Sequence, residues 1–238
     1  MKRFFNVVAI GLVVVFLLNA FCIYLSASPI SDNVEFEVDI YRKHENEFMK
    51  IALTFDDGPH PRHTPQILDL LDRYEIKATF FSVGINAYYY PDVLAEIAAR
   101  GHEIGNHTYS HPHVNQVNQV KLEREIEKCE EMIYQITDRK TKLFRPPEGM
   151  IDSEMLKTIH NLDYRIILWD IDTRDWAHTS PEEIAKNVIE KTSSGDIILM
   201  HDYIGRNSPT YEAMEIFIPV LIEKGYKFVV VSELIDSN

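Results

Sequence analysis

Two adjacent carboxylates, Asp56 and Asp57, end an apolar run, Ile51-Ala52-Leu53-Thr54-Phe55, and Gly58-Pro59 follows at once. Acids this close raise each other's pKa unless a cation or hydrogen-bond donors compensate, so at the end of a buried strand they require a metal or an arginine. Gly-Pro stops the strand and turns the chain away, leaving both carboxylates where a pocket can form. The same residue types also make an ordinary solvated turn. Further on, His107 and His111 stand four apart. In a helical turn both imidazoles face one side, a common spacing for two ligands of one metal, although ten histidines in the chain supply such pairs by chance as well. Adding Asp57 gives two histidines and a carboxylate, a set suited to zinc or another divalent ion with open positions, and leaves Asp56 free as a base. Arg145, before Pro146-Pro147, either holds that free acid ionised or is a plain surface arginine. His201 ends the apolar run Ile197 to Met200 and reads either as an acid kept protonated by Asp175 or as a hydrogen-bonded core histidine. Trp176 suits a sugar-lined groove or simple packing.

These residues need a scaffold that brings them to one place. From Met49 onward, short β-type runs at 50–55, 78–83, 102–106, 142–145, 164–171, 196–200 and 227–231 alternate with helical patterns at 64–74, 91–100, 117–136, 153–161, 181–192 and 211–224. This alternation predicts βα units on a parallel sheet. Thr64-Pro65, Pro91-Asp92 and Ser180-Pro181-Glu182-Glu183 are helix starts, and Gly101, Gly195 and Gly225 fall at helix stops. Seven strands in roughly 190 residues fit a closed or nearly closed barrel better than an open sheet. The polar residues above sit at the C-terminal ends of five of these runs, the face on which a parallel barrel builds its site.

The net charge of −13 over 238 residues makes nucleic acid an unlikely partner, and the acidity is spread along the chain as a solvated surface. Two cysteines, Cys22 and Cys129, make neither a disulfide framework nor a metal site. Lys2-Arg3 precede an uncharged apolar run from Phe4 to Ala27, about 24 residues and long enough to span a bilayer. The basic flank keeps that end cytoplasmic and puts the chain after Pro29 outside. Small-x-small cleavage sites near Ala27 are weak, so an uncleaved membrane anchor is expected ahead of secretion. The organisation expected is a leader over 1–28, a linker over 29–47 and a catalytic domain over 48–238.

From Met49 to Leu234 the chain resembles the polysaccharide deacetylases of carbohydrate esterase family 4. Thr54-Phe55-Asp56-Asp57-Gly58-Pro59 is similar to the first family motif, which implies Asp56 as catalytic base and Asp57 as metal ligand. His107-Thr108-Tyr109-Ser110-His111 resembles the second, implying both histidines as metal ligands. Arg145-Pro146-Pro147-Glu148-Gly149 resembles the third, in which Arg145 holds the base and the N–H after Pro147, that of Glu148, helps bind the oxyanion. Asp172-Thr173-Arg174-Asp175-Trp176 resembles the fourth, where Asp175 tunes the acid, and Leu199-Met200-His201 the fifth, with His201 as the acid and Leu199 lining the acetyl pocket. The residues themselves leave open whether Asp172 or Asp175 contacts His201; the resemblance implies Asp175. Glu148 departs from the family pattern, where Tyr or another uncharged residue is common, so its carboxylate bears on substrate choice. The resemblance implies a distorted (β/α) barrel, a bound zinc (cobalt or nickel as alternatives) and a monomer that removes N-acetyl groups from peptidoglycan or chitin-type polysaccharide. Two rivals remain: an esterase or small-amide hydrolase of the same site, acting on O-acetyl xylan or similar substrates, and a silent glycan-binding envelope protein.

Overall fold

A computed structural model describes residues 38–44, 48–113, 117–205 and 207–236. Its centre is strand β2 (Lys50–Asp56), buried along nearly all its length, as a central strand of a parallel sheet covered on both faces must be. Alternate residues of β2 serve different layers. Ile51, Leu53 and Phe55 join the large cluster under the helices, and Ala52 joins a second cluster with Phe81, Leu143, Ile167 and Ile197 on the opposite face. That inner face turns polar towards its C-terminal end, at Thr54 and Asp56, both buried.

The remaining strands are β1 (Ile40–Tyr41), β3 (Thr79–Ser82), β4 (Glu103–Asn106), β5 (Leu143–Phe144), β6 (Arg165–Ile167), β7 (Ile171–Asp172), β8 (Ile197–His201) and β9 (Lys227–Val229). They lie in the order β1-β6-β5-β4-β3-β2-β8-β7, with β9 beside the first half of β2 and every pairing parallel. The helices are α1 (His63–Arg73), α2 (Gly84–Tyr89), α3 (Pro91–Ala99), α4 (Gln119–Thr137), α5 (Ser153–Asn161), α6 (Pro181–Lys191), α7 (Thr210–Glu223) and α8 (Val231–Ile235). Local signals explain several boundaries: the Ser180 side chain accepts from the Glu183 N–H at the start of α6, and Gly101 and Gly225, just past α3 and α7, take φ of 78° and 91°.

The sheet must curl. In a flat sheet β6 and β7 would lie six strand spacings apart, about 29 Å, yet only Leu168, Trp169 and Asp170 join them, a reach of at most about 14 Å. The linking residues bond to both sides of the seam: the Leu168 N–H donates to Tyr41 O at 2.7 Å and the Asp170 N–H to Ile197 O at 3.0 Å. The result is a distorted (β/α) barrel. Helix α8 places Val231, Leu234 and Ile235 in the inner cluster, and its first N–H donates to Thr79 Oγ1.

All seven anticipated strands form, with two adjustments. The run 164–171 is two strands separated at the seam rather than one, and Val231 begins α8 rather than ending a strand. Ile40–Tyr41, expected as linker, instead form β1 against β6. The membrane-targeting segment expected over 1–28 lies outside the described residues, and no helix among the described residues is long and apolar enough to cross a membrane.

Candidate metal centre and active site

Strand register brings the site residues together. Asp56 is paired with His201 across β2 and β8, and Asn106 with Phe144 across β4 and β5, so His107 and Arg145 leave their strands side by side. The His107 N–H donates to Ser82 O and the Arg145 N–H to Asn106 O. Asp56, Asp57, His107, His111, Glu148, Trp169, Asp172, Trp176, Leu199 and His201 then line one cavity of about 410 Å³ at the C-terminal ends of the strands.

Asp57 has a left-handed backbone, φ 74°, which parts its carboxylate from that of Asp56. Its Oδ1 lies 3.5 Å from His107 Nε2 and 3.3 Å from His111 Nε2. The nearest donor atoms of these three residues all fall within 4.8 Å of one another. His107 Nδ1–H donates to Arg145 O at 2.7 Å, which fixes the tautomer and leaves the Nε2 lone pair facing Asp57 and available to a cation. Burial pushes the Asp57 carboxyl up, but the hydrogen bond and charge of His107, with His111 and His201 behind it, outweigh that and hold it below the usual range. Burial likewise pushes His107 down, but Asp56 and Asp57 outweigh it and hold it above the ordinary imidazole value. Two imidazole nitrogens and one ionised carboxylate on neighbouring loops fit a divalent cation.

The histidine pair meets by a different route from the one its spacing suggested. Residues 107–111 form no helical turn; Thr108 and His111 take φ of 67° and 51°, and the loop is held by Asn106 Oδ1, which accepts from the Thr108 N–H, and by Thr108 Oγ1, which accepts from the His111 N–H.

Arg145 is fully buried and not a surface residue. Its guanidinium donates to Asp56 Oδ1 and Thr54 Oγ1 at 2.8 Å, and to Ile167 O and Leu168 O at 3.0 Å, while lying 4.1 Å from the centre of the Phe81 ring. One side chain thus holds the Asp56 carboxylate and ties the β6–β7 seam to β2. On the other side of the cavity, His201 Nδ1–H donates to Asp175 Oδ1 at 2.8 Å, and Asp175 Oδ2 accepts from the His201 N–H and from Thr210 Oγ1. Burial lowers the His201 pKa, but Asp175 and the Asp56–Asp57 pair outweigh that and raise it to about 9. Asp172 does not contact His201; its Oδ1 accepts from the Arg174 N–H and the Trp176 indole. Pro147 is buried at the start of a single 3-10 turn, Pro147–Gly149, inside which Glu148 has φ 59°. Leu199 is buried against the cavity and Trp176 is half exposed at its rim.

Two participants have no role assigned from the sequence: Trp169, and Asp202, which directly follows His201 at the end of its strand run. Trp169 lines the cavity from the seam and sits where a Cβ on Gly149 would meet its ring at 2.6 Å; being one of only two tryptophans was its one signal. Asp202 is buried behind the site, where its Oδ2 accepts from Thr64 Oγ1 at 2.5 Å and its N–H donates to Asp56 O. A Cβ on Gly58 would fall 2.1 Å from that carboxylate, which accounts for glycine after the two acids. Burial pushes the Asp202 carboxyl up to about 7.

A family model described as polysaccharide deacetylase matches residues 43–167. A peptidoglycan-N-acetylglucosamine deacetylase of Bacillus cereus is 41% identical over 187 residues, covering 78% of this chain and 87% of its own. Among solved structures, a peptidoglycan N-acetylglucosamine deacetylase in complex with 4-naphthalen-1-yl-N-oxidanyl-benzamide superposes with a TM-score of 0.80 at 36% identity, covering 84% of this chain and 94% of that one. A carbohydrate esterase family 4 pseudoenzyme from Bacillus anthracis superposes with a TM-score of 0.78 at 29% identity, covering 84% and 70%.

Proposed function

The chain belongs to the polysaccharide deacetylase family, and from that premise we propose that it is a metal-dependent hydrolase that removes N-acetyl groups from N-acetylglucosamine-containing polysaccharide, releasing acetate. The observation that carries this reading is the meeting, in one cavity, of a three-donor cation site, a carboxylate held by a buried arginine and an imidazole held protonated by a second carboxylate.

In this proposal Asp57, His107 and His111 hold a divalent cation, zinc by their donor types. When bound, such an ion supplies Lewis-acid chemistry, lowering the pKa of a water and polarising an acyl oxygen. Asp56, oriented by the Arg145 guanidinium, takes the proton of the attacking water. The Glu148 N–H, which donates to no backbone acceptor among the described residues, stabilises the oxyanion. His201 gives its proton to the departing nitrogen while Asp175 retains the imidazole in place. Leu199 and Trp176 form apolar walls for the acetyl group and the sugar ring.

The acid favours an amide over an ester, because an amine leaves only when protonated whereas a sugar alkoxide needs less help. Peptidoglycan is the first substrate to test, on the strength of the Bacillus cereus relative, and chitooligosaccharide the second. The apolar run at 4–27 supports action from an anchor on the outer face of the membrane; fractionation that left the full chain in the soluble cytoplasm would refute this part. For the site, Asp56→Ala is expected to abolish acetate release while bound metal stays stoichiometric, and His107→Ala to lose the metal. Near-normal turnover by Asp56→Ala would sink the assignment of the base.

A further inference from the structure

The cavity carries fixed charge beyond its reacting centre, and all of it is negative. No lysine or arginine is among the residues that line it, whereas Glu148 and Asp172 both do. Asp172 is spoken for by the Arg174 N–H and the Trp176 indole. Glu148 instead stands at the rim, its side chain about two-fifths exposed and its Oε1 2.8 Å from His113 Nδ1. That contact joins the loop after β4 to the loop after β5. The backbone gives no reason for glutamate here, since φ 59° favours glycine. The rim thus carries a carboxylate on a backbone conformation that disfavours any side chain.

The reaction turns a neutral acetamide into an amine that gains a proton, so a partly processed chitin-type polymer carries cations on sugars next to those still acetylated. We propose that Glu148 selects substrate by charge: it favours polymer segments bearing a free amine beside the reacting sugar and disfavours those bearing a carboxylate there. This rests on the deacetylase reading above. Two unit charges about 5 Å apart in a water-like medium shift an equilibrium about fourfold, which sets the effect to look for.

The test compares the full-length metal-loaded enzyme with Glu148→Gln, which keeps the side-chain shape and removes the charge. Three tetrasaccharides serve as substrates: fully N-acetylated glucosamine, the same with one free amine, and one with alternating N-acetylmuramic acid. In the wild type, kcat/KM is expected to rank amine-bearing above neutral above carboxylate-bearing. In Glu148→Gln each of the two ratios should shrink about fourfold, through KM rather than kcat, and raising the salt to 1 M should shrink the wild-type ratios in the same way. Ratios unchanged by the substitution would overturn the proposal while leaving the deacetylase reading intact. Absence of acetate from all three substrates with wild-type enzyme would overturn both.

Discussion

Asp56 and Asp57 are the same residue type at consecutive positions, yet the fold gives them opposite surroundings. Asp56 ends a regular strand, is almost fully buried and faces Arg145, whereas the left-handed backbone of Asp57 carries its carboxylate to two imidazoles. The repulsion between neighbouring acids is thus met by separate partners, a guanidinium for Asp56 and two imidazoles for Asp57, so each carboxylate is oriented for a separate task. His201 shows the converse tuning: burial pushes its pKa down, but the Asp175 hydrogen bond and charge outweigh it and raise it to about 9. Removing that support with Asp175→Asn should release the proton at lower pH and move the alkaline limb of the kcat profile down by roughly one unit or more. A uniform loss of kcat with the limb unmoved would mean that Asp175 serves only to pack the site. Asp202 is protonated in the fold up to about pH 7 because burial disfavours its charge, while the unfolded chain ionises near 3.8. The folded state therefore holds the extra proton between these values, and stability falls as pH rises through that window. Asp202→Asn, with no proton to lose and an acceptor retained for Thr64, should flatten that decline, so its melting temperature gains on the wild type between pH 5 and pH 8; parallel curves would refute this.

At the scale of elements, the seam between β6 and β7 decides both the shape of the barrel and the site. Arg145 crosses the interior to bond two seam carbonyls, Thr54 and Asp56. Its removal strands a buried carboxylate and two carbonyls, so Arg145→Ala should cost about 3–5 kcal/mol of stability, read as a lower urea midpoint. Arg145→Lys should restore only a small part, since one ammonium cannot reach four acceptors in a planar fork. Full rescue by lysine would mean that charge alone matters there. The strands that position the site were legible because buried parallel strands read as continuous apolar runs between turn signals, as Ile51 to Phe55 and Ile197 to Met200 do. The seam was not, because Leu168 and Trp169 continue the apolar run while the backbone breaks. Strand β1 is two residues in a polar context and leaves no period to detect, and α2 is six residues beginning at a glycine. The His107–His111 spacing identified the right pair through the wrong conformation, since single left-handed residues such as Thr108 and His111 leave no mark in propensity.

For the whole molecule, the loops after β2 and β4 that hold Asp57, His107 and His111 are separate in sequence and joined only by the fold, so cation binding and folding are coupled. Zinc at a hundred times its dissociation constant should stabilise the chain by about 2.7 kcal/mol, seen as a rise in melting temperature that is lost in His107→Ala; an equal rise in that variant would place the ion elsewhere. The chemistry itself is tested by removing and restoring the metal. Residues 30–238, stripped of metal by a chelator, are given N-acetylglucosamine oligomers and peptidoglycan, and acetate is measured before and after zinc, cobalt or nickel is restored. The expected result is no acetate from the stripped protein and release from at least one substrate once the metal returns. Metal demonstrably bound at Asp57, His107 and His111, with no acetate from either polymer, would contradict it.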